Sequence, residues 1–161
     1  MCSSDLLSTS RDHQQEWLRI ADIRTGEVRT VLEESVSSFF ESGNGAINWR
    51  YLPDSGEIIW FSQRDDWGHL YLYELETGEL EHRITSGAGN VTRILRLDEE
   101  NRQIYFLGVG FEAGRDPYFQ HFYRIGFDGG AMTLLTPENA NHNITLDRKS
   151  TRLNSRHVVT S

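Results

Sequence analysis

The chain has few of the residues that mark several classes of protein. Its 161 residues include one cysteine, three prolines and a single lysine, Lys149. One cysteine cannot form an internal disulfide, and no Cys/His spacing matches a zinc site. No run of eighteen apolar residues occurs, which argues against a membrane-spanning helix. The N-terminus also lacks the basic start and apolar stretch of a signal peptide.

Positive charge is also scarce. The chain has 24 acidic residues against 16 Lys and Arg, a formal net charge of −8. Nucleic-acid affinity comes largely from clustered Lys and Arg, so no nucleic-acid partner is predicted. An aromatic content of 11% and 14 glycines favour a folded, β-rich protein over a disordered one.

The two ends differ from the middle and resemble a translated sequencing adapter. If residues 1–6 are encoded GTG TGC TCT TCC GAT CT, the reverse complement reads Asp-Arg-Lys-Ser-Thr and then opens an Arg codon. That is the order of residues 147–152. We therefore predict that 1–6 and 147–161 are adapter-derived artefacts and that 7–146 is native sequence, whereas the alternative is a basic tail with a coincidental start. Within 7–146 there are 12 arginines and 22 carboxylates, a charge of −10, with neither Cys nor Lys.

A repeat of about 52 residues organises the native part. Thr25-Gly26-Glu27 recurs as Thr77-Gly78-Glu79, and His69-Leu70-Tyr71 recurs as His121-Phe122-Tyr123. Each unit contains four short runs of β-favouring residues separated by Gly and Asp hairpin turns. Four antiparallel strands in a repeat of this length indicate a propeller blade.

The predicted fold is all-β, a partial β-propeller of about two and a half blades. The units are the outer half of a blade at 7–34, full blades at 45–86 and 90–137, and the start of another at 141–146. In the first full blade the predicted strands are 47–52, 57–62, 70–75 and 80–85, and in the second they are 91–97, 103–108, 119–127 and 132–136. Closed propellers have about 4–8 blades, so the sequence predicts an arc of a ring.

Several strings resemble the N-terminal β-propeller of the dipeptidyl peptidase IV branch of the prolyl oligopeptidase superfamily, especially its bacterial members. They are Ser10 to Gln15, Thr25 to Leu32, Ile59 to Tyr73, Ile104 to Phe106, His121 to Arg124 and Asp128 to Gly130. The string from Arg64 to Tyr73 is fairly specific, whereas Thr-Gly-Glu turns occur in many propellers. The resemblance covers nearly all of 7–146.

The resemblance implies a gating role for the chain. In that family the propeller restricts entry to the cavity of an α/β-hydrolase domain, whose Ser-Asp-His triad removes N-terminal dipeptides with Pro or Ala second. The implied partners are peptide substrates, a C-terminal hydrolase domain and a second copy of the parent, the full-length enzyme of which this chain would be a part. This sequence has no Gly-x-Ser-x-Gly elbow, so the fragment itself is expected to be inert. The alternative is a non-enzymatic propeller scaffold similar to TolB.

No residue is assigned as a catalytic, substrate-binding or metal-binding residue, and no cofactor is predicted. Glu33-Glu34 and Glu99-Glu100 lack the Trp-x-Tyr-Glu-Glu context of the family's amine-binding pair and are interpreted as solvated turn carboxylates. The histidines are interpreted as structural, because two of them share one repeat position; they are His13, His69, His82, His121 and His142.

Two loops offer weaker patterns. Arg64-Asp65-Asp66-Trp67 does not match a Ca²⁺ loop and predicts a tight turn, with Arg64 pairing locally and Trp67 packing between blades. Gly108, Gly110 and Gly114 do not fit a nucleotide-binding fingerprint. The range 108–117 is therefore predicted to be a long hairpin loop that projects toward a partner or a domain interface. The aromatic residues on the strands are expected to fill the space between blades; they are Trp49, Trp60, Tyr105 and Phe106.

Overall fold

The described residues form three antiparallel sheets. The computed structural model describes residues 3–12, 14–35, 48–142 and 144, with side chains described from Leu7 onward. The first sheet contains β1 (Ser3–Thr9), β2 (Gln15–Asp22) and β3 (Val28–Ser35); the second contains β4 (Arg50–Leu52), β5 (Glu57–Ser62), β6 (His69–Glu74) and β7 (Leu80–Arg83); the third contains β8 (Asn90–Asp98), β9 (Gln103–Val109), β10 (His121–Gly126) and β11 (Gly129–Leu134). Within each sheet, strands that are consecutive in sequence pair with each other.

The all-β class and the four-stranded blades are confirmed. The second and third sheets have the orders β4-β5-β6-β7 and β8-β9-β10-β11, and the first sheet has three described strands. The strand β5 has the predicted bounds, and β6 to β11 differ from prediction by one to three residues at their ends. The predicted start of β4, residue 47, lies outside the described residues, and β4 begins at Arg50. No helix among the described residues is long and apolar enough to cross a bilayer.

The first strand, β1, includes residues 3–6, which are predicted to be adapter-derived. Its residues 3–6 pair through the backbone with residues 19–22 of β2. Backbone pairing places few demands on side-chain identity, so the pairing does not test the coding origin of 1–6. The adapter origin stays a prediction that the codons would check.

Apolar side chains pack in the seams between consecutive blades. One cluster joins the first blade to the second through Leu18, Leu32, Ile58, Trp60 and Tyr71. A larger cluster joins the second blade to the third and includes Leu52, Leu70, Ile94, Phe106 and Tyr123. A third, on the far face of the third blade, contains Leu107, Phe122 and Ile144. Trp60 and Phe106 are fully buried, as predicted for residues that fill the space between blades.

A hairpin glycine fits one seam closely. Gly78 adopts a φ of +73°, and a Cβ at this position would lie 2.0 Å from the carbonyl oxygen of Val31 in the first blade. Only glycine tolerates both the left-handed backbone and that approach. The Thr-Gly-Glu turn of the second blade therefore sets how closely it packs against the first.

The strands β4 and β8 form the inner edge of the arc. The segment entering β4 reaches β8 directly, because buried Asn48 donates to the carbonyl of Thr92 at 3.1 Å and accepts from the amide of Ile94 at 3.0 Å. The outermost strands β7 and β11 are mostly exposed. Blades of a propeller radiate from a central channel, and β4 and β8 are the strands nearest to it.

Candidate functional site

A buried carboxylate occupies the seam between the first two blades. Glu34, near the end of β3, is 7% exposed. It accepts hydrogen bonds from the Trp60 indole and the Ser62 hydroxyl, both on β5. Arg64 completes the set, with its Nη2 atom 3.2 Å from Glu34 Oε2. The buried carboxylate therefore has three hydrogen-bonding or charged partners from the second blade.

Arg64 connects this carboxylate to two tyrosines. Its guanidinium carbon lies 4.5 Å from the Tyr71 ring centroid and 5.7 Å from that of Tyr73, and it donates to the Tyr73 hydroxyl. Burial opposes the charge of Arg64, but Glu34 and the Tyr73 hydroxyl outweigh it and raise the pKa of Arg64. Burial also raises the pKa of Tyr73. The guanidinium therefore stays charged inside the seam.

The turn after β5 extends the network to the surface. The Tyr71 hydroxyl donates to Asp65 Oδ2 at 2.6 Å, and Arg83 Nη1 lies 3.3 Å from the same oxygen. Burial and the hydrogen bond to Asp65 raise the pKa of Tyr71 well above its ordinary value. We call the whole group the Glu34 network: Glu34, Trp60, Ser62, Arg64, Asp65, Tyr71, Tyr73 and Arg83.

A second ion pair crosses the other seam. Arg102, in the β8–β9 turn, makes a bidentate contact with Glu57 of the second blade at 2.8 and 2.9 Å. The same guanidinium donates to Asp128 at 3.0 Å and stacks over Phe127, 5.0 Å from its ring centroid. The hydrogen bonds from Arg102 lower the pKa of Glu57. Paired forks of this kind fix orientation as well as adding energy.

Both repeated histidines contact a threonine at the end of the same blade. His69 Nδ1 lies 3.1 Å from Thr85 Oγ1, and His69 Nε2 lies 3.2 Å from the carbonyl of Gly87. Since a carbonyl only accepts, Nε2 carries the proton and Nδ1 accepts from the hydroxyl. His121 Nδ1 lies 3.3 Å from the carbonyl of Thr136. Burial lowers the pKa of both histidines, which favours neutral rings.

The described histidines all make contacts within the fold. Thr85 and His69 are almost fully buried, so this hydroxyl–imidazole pair is closed to a substrate. His82 Nε2 donates to the carbonyl of Phe127 across a seam, and His142 lies beside Glu138. His13 lies outside the described residues. Among the described residues no group of three or more metal-ligating side chains is arranged to hold an ion.

The structure corrects one of the two glutamate interpretations. Glu99 and Glu100 lie exposed in the β8–β9 turn, as predicted, and Glu33 is also exposed. Glu34 is instead a buried seam residue, so the solvated interpretation is wrong there. Two-residue alternation along β3 places it on the same face as buried Leu32, and this signal could have identified it.

The loop predictions are partly corrected. Arg64 pairs within its own blade, as predicted, but also with Glu34 of the preceding one. Trp67 is 41% exposed and does not fill a seam, so that expectation is wrong.

The second loop folds back at its start. Phe111 packs against Phe106 and Tyr123, with ring centroids 6.3 and 5.4 Å away. Only the later part is exposed, and Tyr118, just beyond the predicted range, is 87% exposed. Gly108 belongs to β9, and its missing side chain leaves room for the Phe111 ring, since a Cβ there would lie 2.6 Å from that ring.

Taken together, these contacts position blades rather than reacting atoms. The carboxylates and guanidiniums of the seams are paired with each other, and the buried imidazoles are bound to their own blades. The seam contacts therefore support the relative positions of the blades.

Comparison with known proteins gives a consistent family assignment. The model of the family described as "Dipeptidyl peptidase IV (DPP IV) N-terminal region" matches residues 6–157. Dipeptidyl peptidase 4 of Arthroderma otae is 35% identical over 74 residues, which cover 46% of this chain and 9% of that protein. The enzyme of the same name from Trichophyton equinum is 31% identical over the same length. The matched segment thus spans about a tenth of the length of these relatives.

A solved structure shows the same fold. The crystal structure of Porphyromonas gingivalis dipeptidyl peptidase 4 superposes with a TM-score of 0.72 at 18% identity. The match covers 87% of this chain and 19% of that one. At this identity the similarity supports the arrangement of blades alone.

Proposed function

Because this chain belongs to the dipeptidyl peptidase IV N-terminal region family, we propose that it is part of the substrate-gating propeller of a serine-type dipeptidyl peptidase. The parent enzyme would remove N-terminal dipeptides with Pro or Ala second. Its triad would lie in a C-terminal α/β-hydrolase domain, and peptides would reach that domain past the propeller. The family match over nearly the whole chain is the observation that carries the proposal.

The seams support a gating role. A propeller that admits peptides must keep its blades in fixed relative positions, because the channel is bounded by their inner strands. The Glu34 network and the Glu57–Arg102 pair each join two blades through charged hydrogen bonds. Such contacts specify geometry more than they add stability. The inner edge is thereby held in place.

Two experiments test the proposal. In the genomic DNA that encodes this chain, the reading frame downstream should contain Gly-x-Ser-x-Gly followed by an Asp and a His. A stop codon shortly after the last blade would instead favour a non-enzymatic propeller similar to TolB. In the second experiment the 161-residue chain and the full parent are assayed with Gly-Pro-p-nitroanilide. We expect turnover by the parent and none by the chain.

Assembly of the parent is a further part of the proposal. Enzymes of this kind would present the propeller to peptide substrates and could pair as homodimers. Size-exclusion chromatography with light scattering on the full parent would measure this. A monomeric parent with full activity would remove the dimer from the proposal and leave gating unchanged.

A further inference from the structure

The chain leaves the third blade through residues 137–142, a segment that we call the connector. It follows the last strand, β11, and leads to Ile144, which is buried with Leu107 and Phe122 on the far face of the third blade. The sequence predicts that the next repeat begins at 141–146. The connector is therefore the joint between the third blade and the residues that pack on its far face.

A few polar contacts hold the connector against the β9–β10 loop. The amide of His142 donates to the carbonyl of Gln120 at 3.0 Å, and the amide of Gln120 donates to Asn141 Oδ1 at 3.0 Å. Arg115 Nη1 lies 3.4 Å from the carbonyl of Glu138. Most connector residues are exposed. A segment held mainly by exposed hydrogen bonds can open locally while the strands of its blade stay paired.

A buried histidine lies at this joint. His121, the first residue of β10, is 1% exposed, and its ring centroid lies 5.6 Å from that of His142. Its Nδ1 lies 3.3 Å from the carbonyl of Thr136. Since a carbonyl only accepts, Nδ1 carries the proton and Nε2 is an acceptor. Nε2 is buried and has no partner among the described residues, so a second proton would create a buried N–H without an acceptor.

The charged groups around the two imidazoles do not favour a positive ring at His121. Arg115 and His142 oppose its protonation and Glu112 favours it, but burial is the main cause of its lowered pKa. The Glu112 carboxylate is also engaged by the Tyr123 hydroxyl. The titratable and charged side chains at the joint are Glu112 and Arg115 in the β9–β10 loop, Tyr123 on β10, and Glu138 and His142 in the connector.

The second blade provides an internal comparison. His69 occupies the repeat position of His121, but its Nε2 lies 3.2 Å from the carbonyl of Gly87 in the connection between β7 and β8. In the third blade the carbonyl of Glu138 instead accepts from the amide of Ala140. A protonated His69 would keep its hydrogen bond to the connection that follows its blade. A protonated His121 gains an acceptor only when the connector moves and water enters.

We propose that the connector is an acid-sensitive latch, in which protonation of His121 releases residues 137–142 from the β9–β10 loop while the strands of the third blade stay paired. The closed latch holds a neutral ring, and the open latch hydrates a charged one, so each proton taken up favours opening. Below the ordinary imidazole pKa of about 6.5, the ratio of open to closed latch should rise up to about tenfold for each pH unit. The latch is a property of this chain and does not depend on the proposed peptidase.

Amide hydrogen exchange of the 161-residue chain, followed by mass spectrometry, tests the latch. Exchange is measured at pH 7 and pH 5, with labelling times scaled so that intrinsic chemical exchange is equal. The peptide that contains the His142 amide reports the connector. We expect its opening equilibrium constant to rise by about tenfold or more between pH 7 and pH 5. The amides of Ile84 and Thr85, which donate to the carbonyl of Leu70 in the second blade, should change little.

Matched variants identify the histidine responsible. His121→Gln removes the titrating ring and should abolish the rise, whereas His69→Gln changes the same repeat position in the second blade and should keep it. A measurement without substitution is the NMR titration of the His121 ring, which should follow the same pH range as the loss of protection at His142.

Three results would overturn the proposal. The first is a rise that persists in His121→Gln, and the second is an equal rise in the connections that follow the two blades. The third is loss of protection in β10 together with the connector, because this would show that the whole blade unfolds. A gene without a downstream hydrolase would remove the dipeptidase assignment and leave the latch unchanged.

Discussion

Removing the carboxylate of Glu34 should destabilise the fold more than any neighbouring charge change. In Glu34→Ala the Trp60 indole and the Ser62 hydroxyl lose their buried acceptor, and Arg64 keeps its charge without a carboxylate in the seam. Loss of one partner of a buried ion pair costs about 3–5 kcal/mol. The Arg64 side chain is 30% exposed, so solvent can compensate in part, and we expect about 3 kcal/mol.

Urea unfolding followed by tryptophan fluorescence measures this change. With an m-value of about 2 kcal/mol/M, the midpoint should fall by about 1.5 M. Glu33→Ala is the matched control, because this adjacent side chain on the same strand is exposed. Its effect should stay within about 0.5 kcal/mol. Glu34→Gln keeps one acceptor oxygen but loses the charge, and it should fall between the two.

A double-mutant cycle identifies the physical cause. Arg64→Met removes the positive charge while keeping a long apolar stem beside Tyr71 and Tyr73. If the cost of Glu34→Ala arises from an uncompensated guanidinium, that cost should shrink by about 1–2 kcal/mol in the Arg64→Met background. The reasoning is refuted if Glu34→Ala and Glu33→Ala have equal effects, or if the cycle shows no coupling.

Three other predictions concern single contacts within the fold. Arg102→Met should lower the free energy of unfolding by about 1 kcal/mol, because the Glu57 and Asp128 contacts are lost from a partly exposed site. The control is Arg124→Met, and equal effects in the two variants would count against a stabilising role for the Glu57–Arg102 pair. Gly108→Ala places a Cβ 2.6 Å from the Phe111 ring and should lower the free energy of unfolding by about 1–3 kcal/mol. Adding Phe111→Leu to that variant should recover most of the lost stability. A thermal melt without recovery would show that the clash is not the cause. Burial lowers the pKa of His69 and His121 in the fold, so the unfolded chain binds protons at a higher pH than the folded chain does. The contribution of the two neutral rings to stability is complete above pH about 6.5 and should decline as the pH falls below that value. Melting temperatures measured from pH 7.5 to 5 should therefore fall less in His69→Gln than in the unsubstituted chain, and parallel curves would contradict the assignment.

The repeat predicted the blades because it reports a property of every unit. Each blade must alternate apolar and polar residues and must turn at Gly or Asp, so these features recur every 52 residues. The strand ends were predicted less well, since a hairpin can gain or lose a residue pair at little cost. The bulges of β8 gave no sequence signal, because they depend on its pairing with β9 and on contacts from the neighbouring blade.

The seam contacts could not be found by the repeat, because they differ from one seam to the next. The positions 52 residues after Glu34 and Arg64 are Ser86 and Asp116, which cannot form the same ion pair. Even a repeated residue can change its partners. Gly87 has a φ of +111°, and its carbonyl accepts a hydrogen bond from His69. Counted from the repeated threonines Thr85 and Thr136, the corresponding residue of the next blade is Glu138, which follows Pro137.

The carbonyl of Glu138 bonds to the amide of Ala140, and among the described residues His121 Nε2 is left buried without a partner. The two histidines occupy one repeat position and have lowered pKa values for the same first reason, which is burial. They differ in the free-energy cost of protonating the buried ring. A proton added to His69 gives a charged ring that loses its hydrogen bond from Thr85 but still donates to Gly87. A proton added to His121 Nε2 would create a buried N–H with no acceptor. The third blade should therefore be more sensitive to acid than the second. His121→Gln should flatten the pH dependence of the melting temperature more than His69→Gln does.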